Sequence, residues 1–126
     1  MIDRYRETEI RSASPIALIV RLYEEALRHC RSAAKHPGPS RARARGESVT
    51  RTLAIVSELR NALDFEQGGE IARNLDTLYA FASERVLDAH IQGTSRGFEE
   101  AERVLGELLG AWREIAARPP ALEAAR

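Results

Sequence analysis

Three histidines, one cysteine and several neighbouring carboxylates are the residues of this chain with chemistry to offer. His29, His36 and His90 fall on different segments, without the i, i+4 or Cys-x-x-Cys spacing that metal sites use, so each reads as a polar residue and not a ligand. At His29 a phosphotransfer role competes with ordinary helix surface in Arg28-His29-Cys30-Arg31, and the second reading outweighs the first. Cys30 falls on an apolar stripe, where an inert buried thiol is expected. The pairs Glu24/Glu25, Glu66/Glu70 and Glu99/Glu100 have nothing that forces burial and splits their pKa values, so each reads as a solvated face. Arg41, Arg43 and Arg45 form a basic run that could touch nucleic-acid phosphates. No aromatic residues are interleaved with them, however, and a solvated loop or helix start is the stronger reading. Catalytic residues, metal and cofactor are therefore all expected to be absent.

The elements that carry these residues follow from composition and periodicity. With 126 residues the chain suffices for one domain with a real core. Its 19 basic and 19 acidic residues cancel, so no global field draws in nucleic acid or acidic lipid. A lone cysteine leaves no intrachain disulfide to form. The first ten residues, MIDRYRETEI, lack the apolar centre of a signal peptide, and no run reaches membrane-spanning length. The expectation is a cytoplasmic protein with no membrane insertion.

Four helical stripes follow one another. Ser14-Pro15 is a start signal, and Ile19, Leu22, Tyr23, Ala26, Cys30 and Ala33 share one face of a helix to about residue 35. His36-Pro37-Gly38-Pro39 breaks it. The second helix starts between residues 40 and 48, with a stripe of Val49, Leu53, Val56, Leu59 and Leu63. Gly68-Gly69 predicts a tight reversal, after which Glu70 stands in the first turn of a third helix striped by Ile71, Leu75, Leu78, Ala82, Val86 and Ala89. Gly93 stops it, Thr94 or Ser95 caps the fourth, and Phe98, Ala101, Leu105, Leu108, Trp112 and Ile115 form the last buried face. Gly106 and Gly110 read as exposed positions of that helix. The fold class is all-α: an antiparallel up-down four-helix bundle preceded by an N-terminal extended or short helical segment. Residues 1–126 form one helical-bundle domain, with 1–13 expected to be a mobile N-terminal segment and 119–126 a frayed tail.

The helices carry more apolar residues than such a bundle needs. On the second helix Ile55 and Ala62 lie at the stripe's edge, and on the third Tyr79, Phe81, Leu87 and Ile91 lie outside it. Together with Leu59 these are the candidates for a track that takes a partner helix or an extended chain.

SASPIALIVRLYEEAL (residues 12–27), LDFEQGGEIARNLDTLYAFASERVLDAH (residues 63–90) and Ala111-Trp112 resemble the flagellin export chaperones, the FliS family. The combination of SASP, LDxExGGEIAxNL and LYxF carries the resemblance, which covers most of the chain. It departs from the family pattern in the loop at 36–45, at His90 and at Gly106 and Gly110. The resemblance implies a non-enzymatic cytoplasmic chaperone that binds the disordered C-terminal segment of flagellin. Such a chaperone prevents premature polymerisation and assists delivery to a component of the flagellar type III export gate. It further implies an N-terminal segment, with Tyr5 and Ile10, that covers part of the client groove and contacts the gate. The alternative is a generic homodimerising bundle or adaptor with no flagellin client, its apolar surplus being a self-interface.

Overall fold

The computed structural model describes residues 15–118. Four helices run through them: α1 (Pro15–Ala34), α2 (Ala42–Asn61), α3 (Phe65–Gln92) and α4 (Arg96–Ala116), with a 3-10 turn at Pro39–Arg41 ahead of α2. The predicted Ser14 cap, the segment 1–13 with Tyr5 and Ile10, and the tail 119–126 lie outside the described residues. Each helix packs beside its neighbours in sequence, and α4 closes the ring against α1. This is the up-down four-helix bundle read from the sequence.

The packing seams repeat in alternating steps of three and four residues, the spacing that keeps knobs facing a partner helix. On α1 the steps pass through Tyr23, Ala26, Cys30 and Ala33, all buried. On α4 they pass through Phe98, Ala101 and Leu105. Full burial of a side chain the size of Phe98 or Leu105 contributes about 1.5–3 kcal/mol, which sets these residues as principal supports of the core. The predicted face of α4 weakens towards its end: Leu108 and Trp112 are only partly buried, Leu109 takes a core place, and Ile115 is exposed. Space around Gly106 and Gly110 is open, as expected of surface positions.

α3 differs from its sequence reading in two respects. Its chain reversal is not at Gly68-Gly69 but upstream, where α2 ends at Asn61 and Asp64 caps the next helix by accepting from the amides of Glu66 and Gln67, both at 3.0 Å. An aspartate outcompetes the glycine pair for the corner because it satisfies two otherwise unpaired N–H groups. Glu66, not Glu70, therefore occupies the first turn. Gly69 still breaks the helix internally, with φ 51° and ψ −124°, the backbone of the first central residue of a type II′ turn. Beyond it the buried seam is Ala72, Leu75, Tyr79, Ala82, Val86 and Ala89, not the line through Ile71 and Leu78. The helix is turned by one residue in this half, because Tyr79 fills the bundle centre and its hydroxyl finds a partner there. Ile71 and Leu78 are left exposed.

The basic run at 41–45 is not uniformly solvated. Arg45 is 1% exposed and is the largest fully buried side chain of the described residues. Stepping back by four from Val49 along the α2 seam lands on it. Its Nε donates to His90 Nδ1 at 3.0 Å, and its terminal nitrogens donate to the carbonyls of His36, Gly38 and His90. The last of these carbonyls belongs to the final turn of α3, where a cation is favoured by the helix dipole and the acceptor lacks an intrahelical donor. Arg41 and Arg43 are exposed, Arg41 reaching His36 Nδ1 at 2.9 Å.

Candidate functional site

An apolar cavity of about 240 Å³ opens at the end of the bundle where α1 and α3 begin and α2 and α4 end. Leu59, Ala62 and Leu63 line it from α2 and the following corner, and Ile19 from α1. Ile71, Ala72, Leu75 and Tyr79 come from α3, Trp112 from α4, and Asp64 and Gly68 stand on the short turn that caps α3. The volume is below the roughly 300 Å³ at which pockets for drug-sized ligands begin.

The floor contains a linked set of polar tips. Trp112 Nε1 donates to Tyr23 Oη at 3.3 Å, and Tyr23 Oη lies 2.5 Å from Tyr79 Oη, with ring centroids 6.1 Å apart. Burial pushes both phenols above the ordinary tyrosine range, so the pair is a neutral hydrogen-bonding strut with no ionic role. Beside the cavity, Arg60 binds Asp76 through two contacts of 2.8 and 3.3 Å, tying α2 to α3. The hydrogen bonds from Arg60 hold the Asp76 carboxyl below its usual value.

The seven apolar candidates separate into three groups. Leu59, Ala62 and Tyr79 line the cavity. Tyr79, expected as surplus on a flank, is only 2% exposed, because it is the centre of the seam. Ile55 is 8% exposed and belongs to the core cluster, which corrects its reading as surplus: α2 packs on both α1 and α3, so Ile55 and Val56, about 100° apart on the helix, are both covered. Phe81, Leu87 and Ile91 are exposed, Ile91 to 71%. They do not form one strip. Phe81 and Leu87 are six residues apart, about 120° around the axis, with Glu84 and Asp88 between them. Phe81 lies under the Arg85 guanidinium at 5.8 Å.

Sequence reading missed the cavity's other walls, Ile19, Leu63, Ile71, Leu75 and Trp112, by assigning them to core stripes. A stripe shows which face a residue takes, not whether the bundle has a neighbour to cover it near a helix end. Ile71, 71% exposed, is the clearest case. Trp112 had the plainest signal, a large aromatic residue near the end of its helix, one turn before Ala116.

The reactive side chains do not converge. Cys30 is buried with its thiol pushed up to about 12 by burial, and Sγ donates to the Phe98 carbonyl at 3.4 Å. Partial burial and the neighbouring Arg28 and Arg51 lower the His29 pKa. Among the described residues no group of three or more His, Cys, Asp or Glu side chains is placed to hold a metal ion, and no helix is long and apolar enough to cross a membrane.

The family model described as "Flagellar protein FliS" matches residues 1–119. The flagellar secretion chaperone FliS of Salmonella typhimurium is 34% identical over 110 residues, covering 86% of this chain and 82% of the relative. That of Campylobacter jejuni is 36% identical over 113 residues, covering 90% and 88%. The flagellar secretion chaperone FliSB of Pseudomonas aeruginosa is 29% identical over 109 residues, covering 86% of each chain. By the extent of the family match and the identity to these relatives, this chain belongs to the FliS family of flagellar proteins.

Proposed function

We propose that this protein is a cytoplasmic export chaperone for flagellin, acting as a single helical-bundle domain without catalysis. The observation that carries the reading is the open apolar cavity at one end of a FliS-family bundle, with Ile71 standing uncovered at its rim. A disordered client loses conformational entropy when it orders on a surface, and burial of its apolar side chains must offset that loss. The cavity is the primary seat for the disordered C-terminal segment of flagellin. Phe81, Leu87 and Ile91 extend the contact along the outside of α3. Held in this way, the segment is withheld from polymerisation and carried to a component of the export gate. Tyr5 and Ile10 are assigned to the cover of the groove and to the gate contact.

Titration calorimetry with a synthetic flagellin C-terminal segment tests the reading, with light scattering on the same samples. The expected outcome is a defined one-to-one complex. Absence of heat and of any heterocomplex overturns it. The exposed Leu87 and Ile91, one turn apart and away from the cavity, favour a homodimer as the second reading. That reading is supported if the scattering mass is that of a dimer and the peptide leaves it unchanged.

A further inference from the structure

The cavity has one wall unlike the others. Residues 65–68 form a single helical turn, bounded on one side by the corner at 63–64 and on the other by the non-helical Gly69. Asp64 caps this turn: its carboxylate accepts from the amides of Glu66 and Gln67, and its carbonyl accepts from Gly68 N at 2.7 Å. Phe65 is 48% exposed, and Glu66 and Gln67 are exposed as well. These bonds are local to the turn, and Leu63, at its base, is the side chain of this stretch that packs against the core. The Arg60–Asp76 pair, by contrast, fixes α2 before the corner to α3 beyond the glycine. Between those two fixed points lie Ala62, Leu63, Asp64 and Gly68, which form one side of the cavity.

We propose that residues 62–69 are a flap over the cavity, pivoting at Gly69 and at the corner while the Arg60–Asp76 pair holds its base. Gly69 suits a pivot because its φ of 51° lies where a Cβ is disfavoured, and glycine crosses between such conformations at little cost. Swinging the flap outward widens the open cavity into a longer groove bounded by Leu75, Tyr79 and Trp112. This inference rests on the chaperone reading for its purpose but not for its existence.

Hydrogen exchange read by mass spectrometry on the full chain tests it first without any client. Amides at 62–69 are expected to exchange at least about tenfold faster than those at 75–90, since locally bonded turns open independently of the core. Equal protection overturns the flap. In Gly69→Ala, where the pivot conformation is strained, acrylamide quenching of Trp112, the single tryptophan, is expected to rise while helical circular dichroism is retained. If the variant folds and quenching is unchanged, the flap does not cover the cavity; if it does not fold, the exchange comparison on the parent protein decides. A third arm adds the flagellin C-terminal peptide. Binding with altered exchange at 62–69 supports a gate, and binding with unaltered exchange overturns it. No binding refutes the chaperone reading, and the flap then stands or falls on the first arm.

Discussion

The two ends of this bundle are built on opposite principles. At the end where α2 and α4 begin, Arg45 joins the α1–α2 loop to the last turn of α3, and Gly38 N donates to the Gly93 carbonyl at 2.7 Å. Gly93 has φ 73°, and a Cβ there would lie 2.7 Å from Pro39 N, so the two loops touch backbone to backbone. Gly97 extends the close approach: a Cβ on it would lie 2.2 Å from the Arg85 carbonyl. At the other end the seams run out before the helices do. Ile71 and Ile115 are exposed, the cavity is lined with uncovered apolar groups, and the closing turn is bonded locally. One end spends polar interactions on holding backbone to backbone, and the other leaves apolar surface without a partner. The lesson is that a bundle can leave apolar surface open at one end while the other end is tied.

The largest test of this contrast is Arg45→Met. It removes the guanidinium from the part-buried carbonyls of His36, Gly38 and His90, of which only Gly38 keeps another donor, the Arg41 amide, and this is expected to cost about 3 kcal/mol and lower the melting temperature by about 10 °C. Arg45→Lys should recover only part of the loss, since an ammonium cannot span the same acceptors. A thermal melt of Arg45→Met within about 2 °C of the parent removes the latch from the account.

Ile71→Asp probes the open end. Peptide affinity is expected to fall at least about tenfold, equivalent to about 1.4 kcal/mol, with the thermal melt unchanged because the residue is already in water. Leu87→Asp, far along α3 from the cavity, should change affinity by less than about threefold. Equal losses by calorimetry erase the proposed difference between a primary seat and an extension. Ile55 is unsuited to this test: as a core residue, its replacement by a charge would report on folding.

The smallest expected effect is the pH dependence contributed by His29. Its folded-state pKa is lowered, foremost by burial, so the neutral ring is favoured in the fold. Its stabilisation is therefore complete above the unfolded value of about 6.5 and is lost as pH falls through the lower folded value. Comparing denaturant midpoints of the parent and His29→Gln across that window should show the variant with the flatter profile. Identical profiles mean that His29 does not contribute to either end's stability.

Helix count, order and most seam residues were legible in the sequence, because a packing face repeats at a local period and Pro and Gly interrupt it visibly. Even Arg45 was legible in part: it stands four residues before Val49, in phase with the seam, but a cation in a basic run does not announce burial. The family was legible too, through motifs at 12–27 and 63–90 that depend on order along the chain. Which of two adjacent lines on α3 faces inward was decided by the bundle, where Tyr79 meets Tyr23 and leaves Ile71 outside. The cavity was likewise a tertiary outcome. Periodicity is a property of one helix, whereas an uncovered pocket depends on where four helices stop relative to one another.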